Sequence, residues 1–305
     1  MLREQFRLVI LLLFTNNLLS QNQGQEILFV GHAFGSHKIV DNKIDPNLNI
    51  FLQREHDSLF NKIVLGGDFI YDCISDVEYQ NFIDLLNKYD INFVIGNHEN
   101  CNRIISLSYE KYGDINFYEK INNKLLIYLN TSIEEDNVEF DHLDYIINLV
   151  NKESPKEVLI FTHQLIYSKN DFDIRVNSRK YYKYGNNLFD KIFQEFYGGE
   201  ITFHFFAGDI GAFSYTPYAF YESDENFKYY ATGIGNKNNN KGILINIDNQ
   251  ININFVDLDS SKKEPLIKYN KFAVQLYQSP KLILFHIKDN FIFILTFITL
   301  LVMYI

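Results

Sequence analysis

The chain has 305 residues, 47% of them hydrophobic, with 28 Phe, 21 Tyr and no Trp, enough for one large domain or two small ones around a sizeable core. Its formal net charge of −10 excludes a basic surface that displaces counterions from phosphate backbones, so no nucleic-acid partner is expected.

Residues 1–22 open with Arg3 and Arg7, then the apolar run 8–14 and a polar exit. This is the layout of a secretory signal peptide, or of an uncleaved N-terminal anchor, since Leu18 is large where cleavage wants a small residue. An amphipathic first helix of the domain is the third reading. Residues 27–30 form a short strand that runs into Gly31-His32-Ala33-Phe34-Gly35. Residues 43–62 are mixed and hold a helix that ends before the next strand, 63–65, which stops at Gly66-Gly67-Asp68. Ser75 and Glu78 have the spacing of a capping box, and Phe82, Leu85, Leu86 and Tyr89 follow on one helical face. This crossover helix leads to strand 93–95, which stops at Gly96-Asn97-His98-Glu99.

Cys73 and Cys101 flank these two turns and are the only cysteines. They are too few for a disulfide framework or a cysteine zinc cluster, and read as two buried thiols, with a bridge between them as the other reading.

Strand 125–129 ends in Asn130-Thr131-Ser132. Residues 134–151 then place Phe140, Leu143, Ile146, Ile147 and Val150 on one face, a second crossover helix that delivers strand 157–161 to Thr162-His163. Residues 167–199 differ in character: Arg175, Arg179, Lys180 and Lys183 lie among Tyr181, Tyr182 and Tyr184. The segment is either a substrate loop in which Arg175 and Arg179 hold an anionic or sugar-bearing ligand, or a solvated loop. Strand 201–206 ends in Ala207-Gly208-Asp209-Ile210-Gly211. Short strands at 227–233, 242–247 and 251–256, separated by Asn/Gly/Lys turns, read as the second sheet of a two-sheet sandwich. Residues 291–305 carry no charge, and 282–287 extend that run if Lys288 snorkels. Residues 281–305 therefore read as a transmembrane segment, or as a terminal hydrophobic helix packed on the domain. The expected organisation is residues 1–22 as signal or anchor, 25–260 as the folded domain, and 281–305 as the C-terminal hydrophobic segment.

The ends of parallel strands are where open α/β sheets place their chemistry. Here such ends carry Asp68, Asn97, His98 and His163, polar groups that suit hard or borderline cations. The succession GGD, GNHE, a strand ending in His and a strand ending in a Gly-containing turn resembles the calcineurin-like metallophosphoesterases, over roughly residues 27–258. The resemblance implies an α/β fold, a two-sheet β-sandwich flanked by helices in the layering α/β/β/α, here with terminal hydrophobic segments. It implies a metal centre in which Asp68, Asn97 and His163 bind one cation, with Asp209 where resembling enzymes carry an imidazole. Asp68 and His32 are left to bind a second cation, because Phe34 and Gly211 occupy the other ligand positions; His37 is a candidate substitute. The expected cofactor is a divalent metal, Mn, Fe or Zn, as one or two ions. His98 is expected to protonate the leaving oxygen or steady the phosphoryl group, with Glu99 holding its ring.

The resemblance thus implies metal-dependent hydrolysis of a phosphomonoester, phosphodiester or pyrophosphate. The expected substrate is a small-molecule or lipid or sugar phosphoester, and the terminal hydrophobic segments lead to the expectation of a membrane-anchored domain on the extracytoplasmic side. The alternative is a catalytically impaired protein of the same fold, acting as a membrane-attached binding or assembly module.

Overall fold

Apolar runs rich in Ile, Leu, Val and Phe favour strands buried on both faces. In the computed structural model these runs form the centre of the molecule. The structure describes residues 24–35, 44–73, 75–132, 138–166, 176–177, 191–192, 194–213, 216–235 and 240–268. In chain order the elements are β1 (Gln25–Val30), α1 (Pro46–Glu55), β2 (Lys62–Gly66), α2 (Asp76–Lys88), β3 (Ile91–Val94), α3 (Asn102–Tyr112), β4 (Phe117–Ile121) and β5 (Lys124–Leu129). There follow α4 (Val138–Glu153), β6 (Glu157–Thr162), β7 (Thr202–Ala207), β8 (Ala219–Asp224), β9 (Phe227–Thr232), β10 (Lys241–Ile247), β11 (Ile251–Asp257) and β12 (Lys263–Glu264).

Among the described residues the strands form two mixed sheets, ordered β12-β11-β10-β1-β2-β3 and β4-β5-β6-β7-β9-β8. β1, β2 and β3 are parallel in the first, and β5, β6, β7 and β9 in the second. Alternate residues of each strand face opposite layers. Leu28 and Val30 of β1 pack under Phe51 of α1, Phe82 of α2 and Ile104 of α3. Ile27 and Phe29 face the other sheet, meeting Phe161, Phe206 and Tyr230. The far face of the second sheet packs on Ile146, Leu149 and Val150 of α4. The result is a two-sheet sandwich with helices on both outer faces.

The last strands do not all lie in one sheet, as the sequence suggested. β9 joins β7, whereas β10 pairs antiparallel with β1 and carries β11 into the first sheet. A period-two pattern states which residues share a face; it does not name the neighbouring strand. The edge strands β4, β8 and β12 and helix α3 were also not expected from the sequence. β4 and β8 are largely half-exposed, and α3 starts at Cys101 without a side-chain cap bond.

The capping box at Ser75 is half formed. Ser75 Oγ accepts the Glu78 N–H at 3.3 Å, but the buried Glu78 carboxylate accepts the N–H groups of Tyr71 (2.7 Å) and Asp72 (2.8 Å). It thereby braces the loop that follows Asp68.

Two contacts tie the inner layer together. Phe117, Tyr128, Phe161, Phe206, Tyr230 and Tyr221 form a stacked ladder across the second sheet, with successive centroids 4.3, 5.1, 4.9, 4.8 and 5.2 Å apart. Lys62, buried at the start of β2, reaches across to Glu119 of β4, 2.7 and 2.8 Å from its two oxygens. The same carboxylate accepts from Asn92 Nδ2 at 3.0 Å and from the Tyr128 hydroxyl at 3.2 Å.

No helix among the described residues is long and apolar enough to cross a membrane. The expected segments 1–22 and 281–305, and His37, Arg175 and Arg179, lie outside the described residues.

Candidate metal centre

At one rim the main chains of the two sheets come into direct contact. A Cβ on Gly31, after β1, would lie 2.2 Å from Gly208 Cα, and one on Gly208, after β7, 1.9 Å from the Gly66 oxygen. Only glycine permits such an approach. The seam brings the strand ends of the first sheet, with His32, Asp68 and Asn97, against those of the second, with His163 and Asp209.

His32 and Asp68 both sit in the left-handed region, at φ 50° and 51°, which costs a non-glycine residue of order 1–3 kcal/mol. Backbone bonds hold the strain: His32 N–H donates to the Gly67 oxygen at 3.1 Å and Phe34 N–H to the Asp68 oxygen at 3.0 Å. Glu99 supplies the rest. It is fully buried and accepts the N–H groups of Asp68 (2.8 Å), Ile70 (2.9 Å) and Gly96 (2.9 Å). Burial, with the Asp68 charge beside it, pushes its carboxyl up to about 8, against the pull of these donors. Glu99 therefore stitches the Asp68 loop to the Asn97 loop and does not hold the His98 ring as expected. His98 Nδ1 pairs instead with the Tyr71 carbonyl oxygen at 2.9 Å, and its ring packs against Phe34 and Tyr71.

The structure brings His32, Asp68, Asn97, His163 and Asp209 together. Asp68, His163 and Asp209 are buried, and each offers one ligand atom within 4.8 Å of the others. His163 Nε2 lies 3.5 Å from Asp68 Oδ1, 3.8 Å from Asp209 Oδ1 and 3.1 Å from Asn97 Oδ1. His32 Nε2 approaches the other oxygen, Asp68 Oδ2, at 3.8 Å. Both rings are oriented by main chain: His163 Nδ1 faces the Gly66 oxygen at 2.9 Å and His32 Nδ1 the Ile234 oxygen at 3.0 Å. A carbonyl accepts, so each Nδ1 carries a proton, and each Nε2 is turned to the cluster.

Burial lowers the pKa of His32 to about 4, against the pull of Asp68, so it is neutral and ligand-ready near pH 7. Burial also opposes charge on His163, but Asp68 and Asp209 outweigh it and hold the ring above its ordinary value. The carboxylates thus call for positive charge at Nε2, which a cation supplies as well as a proton. Two carboxylates, an amide oxygen and imidazole nitrogen form a mixed N/O set that fits a divalent ion.

The two poor positions have physical causes. Phe34 is buried with its ring 4.3 Å from that of His32, so it fills this side with hydrocarbon. Gly211 has φ +91°, and a Cβ there would lie 2.2 Å from the Gly233 oxygen.

Sequence reasoning missed Asn177, whose N–H donates to the Asp209 oxygen at 3.0 Å and whose Oδ1 accepts the Ala212 N–H at 3.0 Å. It ties residues 176–177 to the Asp209 turn. An Asn in a polar loop carries no signal of that.

The chain matches no protein-family model and no curated protein. Among solved structures it is similar to GAP50, described as the anchor in the inner membrane complex of Plasmodium, at 12% identity and TM-score 0.52, covering 84% of this chain and 94% of that one. Vps29 of Chaetomium thermophilum matches at 9% identity and TM-score 0.34, over 79% of this chain and 92% of that one. AQ665 of Aquifex aeolicus, a protein of unknown function, matches at 12% identity and TM-score 0.28, over 46% and 80%. At such identities the likeness to the Plasmodium protein shows the fold alone: an α/β sandwich of two mixed sheets.

Proposed function

We propose that the chain is a metal-dependent phosphoester hydrolase of the calcineurin-like metallophosphoesterase type. One observation carries the reading. Asp68 presents one oxygen to His163 and the other to His32, at a rim where Asn97 and Asp209 also converge. A scaffold has no physical need to bury two carboxylates and two imidazoles there, given the cost of desolvation.

Asp68, Asn97, His163 and Asp209 would hold one ion. A divalent cation supplies charge neutralisation and a more acidic water there. His98 acts on the leaving group: with Nδ1 committed to the Tyr71 carbonyl, Nε2 is the nitrogen that delivers a proton to the departing oxygen. Its backbone N–H, 3.4 Å from Asp68 Oδ1, keeps it beside the ligands. Glu99 fixes the separation of the Asp68 and Asn97 loops. Phe34 and Gly211 favour a single ion, because His32 and one Asp68 oxygen alone make a weak second position. The substrate belongs to the phosphomonoesters, phosphodiesters or pyrophosphates, small-molecule or lipid or sugar in kind, with Arg175 and Arg179 as candidate contacts.

The same two positions favour a second reading, a protein that keeps the fold and serves as a membrane-attached assembly module. The description of the Plasmodium neighbour as an anchor accords with it. Both readings place the domain on the extracytoplasmic side of a membrane.

The test is metal analysis of the purified protein, together with nitrophenol release from mono- and diester probes in added manganese, iron or zinc. The hydrolase reading expects bound metal and turnover, abolished by Asp68→Asn and cut at least about a hundredfold by His98→Ala. Bound metal without turnover favours the assembly module. Absence of both refutes the metal-centre reading.

A further inference from the structure

Each of the two loops that carry the site also ends in a thiol. Cys73 follows the Asp68 turn; Cys101 stands between Glu99 and α3. Both are free, Cys73 buried at 8% exposure and Cys101 half-buried. Cys101 Sγ lies 3.8 Å from the Cys73 carbonyl oxygen, and Cys101 is one of the groups that push the Cys73 thiol up. The sequence has no other cysteine, so within one chain each can pair only with the other.

Two further observations separate this pair from ordinary packing. The segments are already registered by Glu99, which binds N–H groups on both loops, so Cys101 Sγ is held against the Cys73 residue. The thiols are also unequal. Cys101 is the one solvent reaches. Burial pushes the Cys73 thiol up to about 12, with Cys101 beside it adding to the effect, so the more exposed Cys101 is the sulfur placed to meet an oxidant first. An accessible thiol beside a shielded one is the arrangement of an attacking and a resolving cysteine.

We propose that Cys73 and Cys101 form a reversible disulfide that staples the Asp68 loop to the Asn97–His98 loop. The oxidant is a low-molecular-weight disulfide such as oxidised glutathione. The Cys101 sulfur, after losing its proton, attacks one sulfur of the oxidant; the oxidant's S–S bond breaks and one glutathione leaves. Cys73 then gives up its proton and attacks the Cys101 sulfur of the mixed disulfide, expelling the second glutathione. Two cysteine thiols are oxidised by two electrons in all, and one glutathione disulfide is reduced to two thiols. The bridge ties together segments that both supply the metal site, and it constrains the unfolded chain.

The test uses the full chain, equilibrated over graded ratios of oxidised to reduced glutathione, quenched by alkylation, digested and mapped by mass spectrometry. The expected result is a linked Cys73–Cys101 peptide pair that appears with oxidised glutathione and vanishes with dithiothreitol. A rise in Tm of about 5–10 °C should accompany it. Cys73→Ser and Cys101→Ser should each remove both signals. Alkylation of both thiols at every ratio, glutathione left on Cys101 without transfer to Cys73, or Cys101 bridges between two chains would each overturn the proposal. Should a serine variant fail to fold, the linkage map of the unmodified sequence decides. Linkage needs neither metal nor substrate, so its outcome is independent of the hydrolase reading.

Discussion

Replacing Glu119 with Ala strips the counter-charge from Lys62 at the rim opposite the metal centre. Breaking a buried pair from one side costs about 3–5 kcal/mol. The Glu119 side chain is 32% exposed, so water partly resolvates Lys62, and the cost of the lone charge falls to about 2 kcal/mol. Asn92 and Tyr128 each lose an acceptor as well, worth about 1 kcal/mol apiece. The sum is about 4 kcal/mol, a fall in Tm of about 8–16 °C for a domain of this size. Replacing Lys62 and Glu119 together by Leu removes the unpaired charge and leaves only the Asn92 and Tyr128 share, about 2 kcal/mol. Thermal unfolding followed by circular dichroism measures both. The pH dependence is a second readout. Burial pushes the Glu119 carboxyl up, but the bonds from Lys62 and Asn92 outweigh it and leave the group below its ordinary 4.5. A depressed carboxyl contributes stability above its unfolded value that is lost as pH falls through the folded one. The unmodified protein should therefore lose this contribution below about pH 4.5, and Glu119→Gln should not. A Glu119→Ala protein within about 1 kcal/mol of the parent, or a double variant no better than the single, refutes the reasoning.

Further substitutions probe the metal-site rim. Gly67 has φ +78° and a Cβ there would lie 2.4 Å from His163 Nδ1, so Gly67→Ala should displace the ring and, under the proposed metal-centre reading, lower the metal content in elemental analysis relative to the parent; a variant with the parent's metal content would contradict the close approach. Gly211→His should destabilise the fold and add no ligand, since its Cβ meets the Gly233 oxygen; a folded variant holding an extra metal equivalent would refute this. Glu99→Ala leaves three buried N–H groups without an acceptor, at about 1–3 kcal/mol each. It should speed hydrogen exchange at Asp68, Ile70 and Gly96 beyond the effect of Glu99→Gln, and equal rates in the two would argue against the stitch.

The positions of Asp68, Asn97 and His163 were legible because an apolar run that stops at glycine and a polar group marks the end of a parallel strand. Helix α2 was legible from Phe82 and Leu85. The partner of each strand was not: Ile243 and Ile245 of β10 alternate equally well in either sheet, and only the open edge of β1 selected the first. Glu99 misled through adjacency. It neighbours His98 in sequence, yet its acceptor bonds go to Asp68 and Ile70, brought from the β2 loop by the parallel pairing of β2 and β3. Gly208 read as a turn residue, whereas it is also where two sheets come into main-chain contact, which no local pattern encodes.

That glycine contact separates the foundations of the rim from its furnishings. Peptide units of Gly31, Gly66 and Gly208 bear directly on one another, so at these three positions the sheets meet through main chain. Phe34 or Asp209 can therefore stand where resembling enzymes carry imidazole without shifting the ground beneath their neighbours. A chain built this way can exchange the side chains around the rim one residue at a time while its architecture stays put.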